Sequence, residues 1–214
     1  MQYIIKKEGS GKMNKLPSVR KILQALYYIQ SNAPQDNPDR FNKVYLLKMF
    51  YFADRYHIRH FGCLASRDTY FAMKLGPVAS NAYNILKKDQ CNINSAEVGC
   101  LHGVEEVSEH DVNIEFQGND ELSKSYKKAL DFALKEFGRN SWSRQSDISH
   151  CYPEWKNVYG ANPSGLRIPM NLRDFFDDPD DKTCFSKFGK NGDPFEDDRE
   201  FLTLLQEDLN AIPD

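Results

Sequence analysis

The chain has 214 residues, 40% of them hydrophobic and 13% aromatic, which is enough apolar material for a real core in one domain, or one domain with an appendage. No apolar run approaches the ~18 residues of a transmembrane span, and no long apolar segment precedes a cleavage-type site near the N-terminus, so a cytoplasmic protein is expected. The net charge of −3 is uneven: residues 174–214 carry thirteen acidic and four basic side chains, a balance of −9, which leaves +6 for residues 1–173.

Residues 18–32, SVRKILQALYYIQSN, place Val19, Ile22, Leu23, Leu26 and Ile29 at spacings of three and four behind Ser18, which predicts a first helix with a serine N-cap. Two prolines in APQDNPDRF break it. A longer helix is expected over Asn42–Phe61, closed by Gly62 as a left-handed C-cap. Its apolar positions are dense enough to make it the central, mostly buried helix. RDTYFAMK then alternates as a short strand, and Gly76-Pro77 is expected to end it, with Pro77 in the first turn of a helix running to about Lys88. A hairpin is predicted around Glu109–Asp111 and a helix over Leu122–Phe137, capped by Asn119 or Asp120.

Residues 141–158 read as a short helix broken near Pro153, GANPSGLRIPMN as loop, and Leu172–Phe176 as a brief helical turn. An acidic, turn-rich linker follows, then an amphipathic helix from Phe195 or later to Leu209. The expected class is α+β and predominantly α-helical: a compact helical domain with a small antiparallel β element and an acidic C-terminal extension. The division is an N-terminal segment 1–17, a domain 18–176 and an extension 177–214. A charged run such as that extension is more often a solvated surface than a contact for a basic partner or an imitation of nucleic acid.

Few residues carry a catalytic signature. The Gly76-Pro77 turn fits neither GxxxxGK[ST] nor GxGxxG, and Pro77 lacks an N–H where an anion would want one. Five cysteines without CxxC spacing read as free thiols rather than a zinc site. His57 and His60, beside Arg55 and Arg59, are expected on the wet face of the central helix. A basic face is expected from Lys48, Arg55 and Arg59 with Lys74, Lys87 and Lys88. Asp54, in an apolar run, is either a buried carboxylate satisfied by a tyrosine or arginine or a surface residue on a narrow polar stripe, the first being preferred.

FYFADRYH, the GPV turn followed by Tyr83, and the late His150, Trp155 and Lys156 together resemble the Panacea domain, the SocA-like antitoxin domain of bacteria and their phages, over about residues 18–176. The resemblance implies an α-rich domain with a small β element that binds and neutralises a toxin encoded beside it. Relatives counter toxins as different as small alarmone synthetases and membrane-acting peptides, some act as adaptors to a protease, and some carry a DNA-binding domain that is not expected in this sequence. The expectation is a non-catalytic partner of a cognate toxin encoded nearby, with no cofactor, no membrane association and no nucleic-acid role. Contact residues are expected among Tyr56, Arg59, Tyr70, Lys74, Tyr83 and Trp155. Two other classes remain open at this stage: a thiol-dependent hydrolase using Cys151 or Cys63, and a nucleic-acid-binding regulator whose affinity would fall with salt.

Overall fold

A computed structural model describes residues 18–89, 101–160, 167–189 and 192–195, and it has the predominantly helical α+β architecture. The first helix, α1 (Val19–Asn32), starts where Ser18 accepts a hydrogen bond from the Lys21 N–H, and its five predicted apolar positions are all buried. Its buried Gln30 is bonded through both ends of its amide to a strand, donating to the Val112 carbonyl (2.9 Å) and accepting from the Ile114 N–H (2.8 Å).

The central helix, α2 (Lys43–Phe61), has Asn42 as N-cap and Gly62 at φ +72° as the left-handed stop. Every residue from Tyr45 to Arg59 is buried, so this helix is enclosed on all sides and has no wet face. It packs chiefly against α4 (Lys124–Phe137), where Phe52 and Phe137 stack at 3.9 Å. The cap of α4 is Ser123, not Asn119 or Asp120; Asp120 instead accepts from Gln24 and pairs with Lys127.

The stretch after α2 corrects one expectation. Strand β1 (Tyr70–Met73) turns through Lys74 and Leu75 into β2 (Gly76–Ala79), so Gly76-Pro77 opens a return strand, and helix α3 begins only at Ser80 (Ser80–Leu86). Pro77 is tolerated there because β2 is the edge of a sheet ordered β2-β1-β5 and needs no outward N–H donor. Gly76 is required by its φ of +102° and by proximity: a Cβ there would collide with the Ser149 hydroxyl and stand 2.7 Å from Lys48 Nζ. The absent local cap of α3 is replaced from a distance by Asp68, whose carboxylate accepts from the Asn81 and Ala82 N–H groups at 3.0 Å.

Strands β3 (Val104–Glu106) and β4 (Val112–Ile114) form the predicted second hairpin. Helix α5 (Trp142–Ser149) follows, then one helical turn, α6 (Pro153–Trp155), that widens into a π-type turn over Lys156–Gly160. Within the stretch read as loop, Ile168–Pro169 forms β5 and pairs with Phe71 and Ala72. A 3₁₀ turn over Leu172–Phe176 buries Phe175, and a second, Lys182–Phe188, buries Phe185. Packing therefore runs on past residue 176: Phe185 and Phe195 lie in the core, and the described part of the acidic segment is docked rather than simply solvated. The final amphipathic helix read to Leu209 lies, beyond Phe195, outside the described residues.

Candidate functional site

The expected basic face on α2 does not exist, because the enclosure of that helix takes its cations inside. Lys48 is fully buried and donates to the Pro77 carbonyl (2.8 Å); burial holds its ammonium well below the ordinary lysine range. Arg55 pairs with Glu154 (2.5 Å), donates to the Asp177 carbonyl (3.0 Å) and lies 4.2 Å over the Tyr152 ring. Glu154 also accepts from the Tyr51 hydroxyl; burial raises its pKa, and Arg55 and Tyr51 oppose that rise. Arg59 reaches the Phe175, Phe176 and Asp177 carbonyls and the Asp178 carboxylate (2.8 Å). One stripe of α2 therefore fastens the hairpin, α6 and the segment at 175–178 to the core.

Asp54 is the buried carboxylate, satisfied by a tyrosine as preferred: it accepts from the Tyr70 hydroxyl (2.9 Å), the Ser66 N–H (3.1 Å) and the Ser66 hydroxyl. Burial pushes its carboxyl up to about 6, opposed by those hydrogen bonds. Of the two histidines His57 is buried and His60 half-buried. His57 is bonded to the Cys63 carbonyl (2.7 Å) and Ser125 Oγ (3.0 Å), and His60 to the Tyr56 carbonyl (2.9 Å). Among the described residues no group of three His, Cys, Asp or Glu is placed to hold a metal ion.

Above this interior, the β1–β2 turn projects Lys74 and Leu75 outward while it is gripped from below. Lys48 holds the Pro77 carbonyl, and the Trp155 indole N–H donates to the Met73 carbonyl (2.8 Å). Trp155 is itself sandwiched between His150 (3.8 Å) and Tyr159 (5.2 Å). Beside the turn lies a groove of about 370 Å³. Its apolar walls come from Val44 and Leu47 on α2, Met73 and Leu75 on the hairpin, Leu86 on α3 and Trp142 on α5, with Tyr83, Lys87, Lys43, Glu109 and His110 at its margin. The wall formed by the β3–β4 turn is fixed to the start of α2, since the Lys43 N–H donates to the His110 carbonyl and Lys43 Nζ pairs with Glu106, both at 2.8 Å.

A family model described as "Antitoxin SocA-like, Panacea domain" matches residues 46–156, just over half of the chain. The chain belongs to the Panacea family. No curated protein and no solved structure matches it. The matched Panacea segment runs from the buried part of α2 through both hairpins to α6, so it contains Asp54, Arg55 and Glu154 with the β1–β2 turn that they support. Among the described residues of this Panacea chain, no helix is long and apolar enough to cross a membrane.

The six expected contact residues of the Panacea chain divide into two sets. Lys74 is exposed, Tyr83 is half-buried at the groove, and Trp155 is half-buried behind Met73; these three lie around the hairpin. Tyr56, Arg59 and Tyr70 are buried and belong to the interior, because α2 is enclosed on all sides and Tyr70 points to the inner face of β1. Tyr56 stacks on His60 (3.7 Å) and Phe132 (4.4 Å), and Tyr70 is held by Asp54. Sequence reasoning passed over Leu75 and Trp142. Leu75 had a signal: an apolar residue, 41% exposed, at a hairpin turn where polar residues are the rule. Of the thiols offered as nucleophiles, Cys151 is half-buried and Cys63 exposed, and desolvation shifts both upward, the reverse of the shift that favours a thiolate.

Proposed function

We propose that this Panacea-family chain is a non-catalytic antitoxin that neutralises a cognate toxin, encoded nearby, by direct protein contact in the cytoplasm. The observation that carries the reading is the family match over residues 46–156. The structure supports a binding role in its allocation of charge. The buried charges are committed to holding a framework, while Lys74, Tyr83 and Trp155 cluster where a rigid hairpin meets solvent. Of the six expected contact residues, these three form the contact face, and Tyr56, Arg59 and Tyr70 keep it in shape from within. Inhibition then needs only that the face cover the toxin's active surface or its substrate entrance.

Co-expression with the product of the adjacent gene tests this. That product alone is expected to arrest growth, and the pair to grow and to co-purify as a complex. A harmless neighbour, or arrest that this chain neither relieves nor binds, rejects the reading.

A further inference from the structure

We infer that the groove beside the β1–β2 turn is the toxin-docking site, and that it takes an acidic segment of the toxin presenting an apolar anchor side chain. The inference rests on the antitoxin reading and adds to it the place and the chemistry of the contact. Its volume of about 370 Å³ is at the small end of ligand-sized cavities, roughly 300–1,000 Å³, and suits one or two inserted side chains. Trp142, Tyr83 and Met73, of the residue types enriched where partners anchor, line it, and Leu75 stands exposed at its lip.

The charge around the mouth selects the occupant. Lys43 is neutralised by Glu106, which lies in the field of Lys87 and Lys88 as well. Lys74, Lys87 and Lys88 are exposed, and among the described residues none of them forms an ion pair. Among the lining residues Glu109 balances Lys87, since Lys43 is committed to Glu106, so the excess positive charge at the mouth comes from Lys74 and Lys88, each next in sequence to a lining residue. Carboxylates flanking an apolar anchor would meet the lysines while the anchor fills the groove, and long-range attraction would speed encounter. A nucleic acid is a poorer occupant: apart from Trp142 the apolar walls are not aromatic and offer few platforms for base stacking, and the whole chain carries a net charge of −3.

The test uses the full chain with the neighbouring gene product, comparing wild type with Leu75→Asp, the double variant Lys74→Glu/Lys87→Glu, and Leu172→Asp. Leu172 is exposed and does not line the groove. Growth rescue, affinity by calorimetry and thermal melting are read for each. Both groove variants are expected to bind at least tenfold more weakly and to lose rescue with unchanged melting. Leu172→Asp should behave as wild type, and the double variant should lose the salt dependence of binding. If Leu75→Asp melts early, the double variant, altered only at exposed positions, decides. Wild-type binding by both groove variants overturns the groove and leaves the antitoxin reading standing. Failure of the wild type to bind or rescue overturns both. A change in oligomeric state caused by the groove variants, or a shift of a promoter fragment abolished by them, would give the groove to a second copy or to nucleic acid and overturn the inference.

Discussion

Asp54 meets two hydroxyls and one backbone N–H in the interior, and that set stabilises a carboxylate only in part. Its carboxyl holds its proton up to about pH 6, against an ordinary value of 3.8, because burial penalises the charge. The sign follows from proton counting. Between those values the folded state binds more protons than the unfolded one, so the stability from this group is complete below pH 3.8 and is lost as pH rises through 6, about 3 kcal/mol in all. His150 has the opposite sign: burial, then Lys48, lower it to about 4, so its contribution is lost as pH falls from 6.5. The difference between variants therefore isolates Asp54. Asp54→Asn should gain stability relative to wild type as pH is raised from 4 to 7, read by denaturant unfolding at each pH, and parallel profiles would show that Asp54 titrates normally.

Helix α2 does what a helix with one dry stripe cannot: it passes fixed polar attachments to several neighbours at once, among them β2, α4, α6 and the turn at 172–176. Arg59 ties it to the turn at 172–176 and on to Asp178 through buried N–H donors. Arg59→Met nearly keeps the volume but strands the carbonyls of Phe175 and Phe176, while the Asp177 carbonyl keeps its bond from Arg55. A loss on the order of 3 kcal/mol is expected, with faster proteolysis within residues 177–189. Arg139 and Asp36 form an ion pair at 3.1 Å with both partners more than 70% exposed, so Arg139→Met should change stability by less than about 1 kcal/mol. Equal effects of the two substitutions would remove the case for α2 as the anchor of the acidic segment.

At the scale of the molecule, Phe195 joins Phe132, Phe137 and Tyr152 in one aromatic cluster and lies 5.3 Å from the Arg55 guanidinium. Asp193 accepts from the Tyr152 hydroxyl (3.2 Å). The segment up to 195 thus shares the core with the family-matched region, and residues 18–195 should unfold together. Calorimetry is expected to give one transition whose calorimetric and van't Hoff enthalpies agree. A separate low-temperature transition that disappears when residues 177–214 are removed would instead make the extension an independent unit.

By itself the sequence determined what depends on local rules. The caps Ser18 and Gly62, the apolar periodicity of α1 and α4, the strand at Tyr70 and the motifs that resemble the Panacea domain were all legible, because each is written within a few residues. Lys74, Tyr83 and Trp155 were legible as candidates for the same reason. Only the tertiary structure decided which side chains face water. Lys48, Arg55, Arg59 and His57 read as a solvent face since charge and imidazole are ordinarily expensive to bury, yet hydrogen-bond partners distant in sequence, Pro77, Glu154, Phe176 and Ser125, offset that cost. Pro77 read as a helix start because no local pattern announces that its strand lies at a sheet edge. The groove was invisible for the same reason: Val44, Met73, Leu86 and Trp142 come from four elements that meet only when the chain has folded.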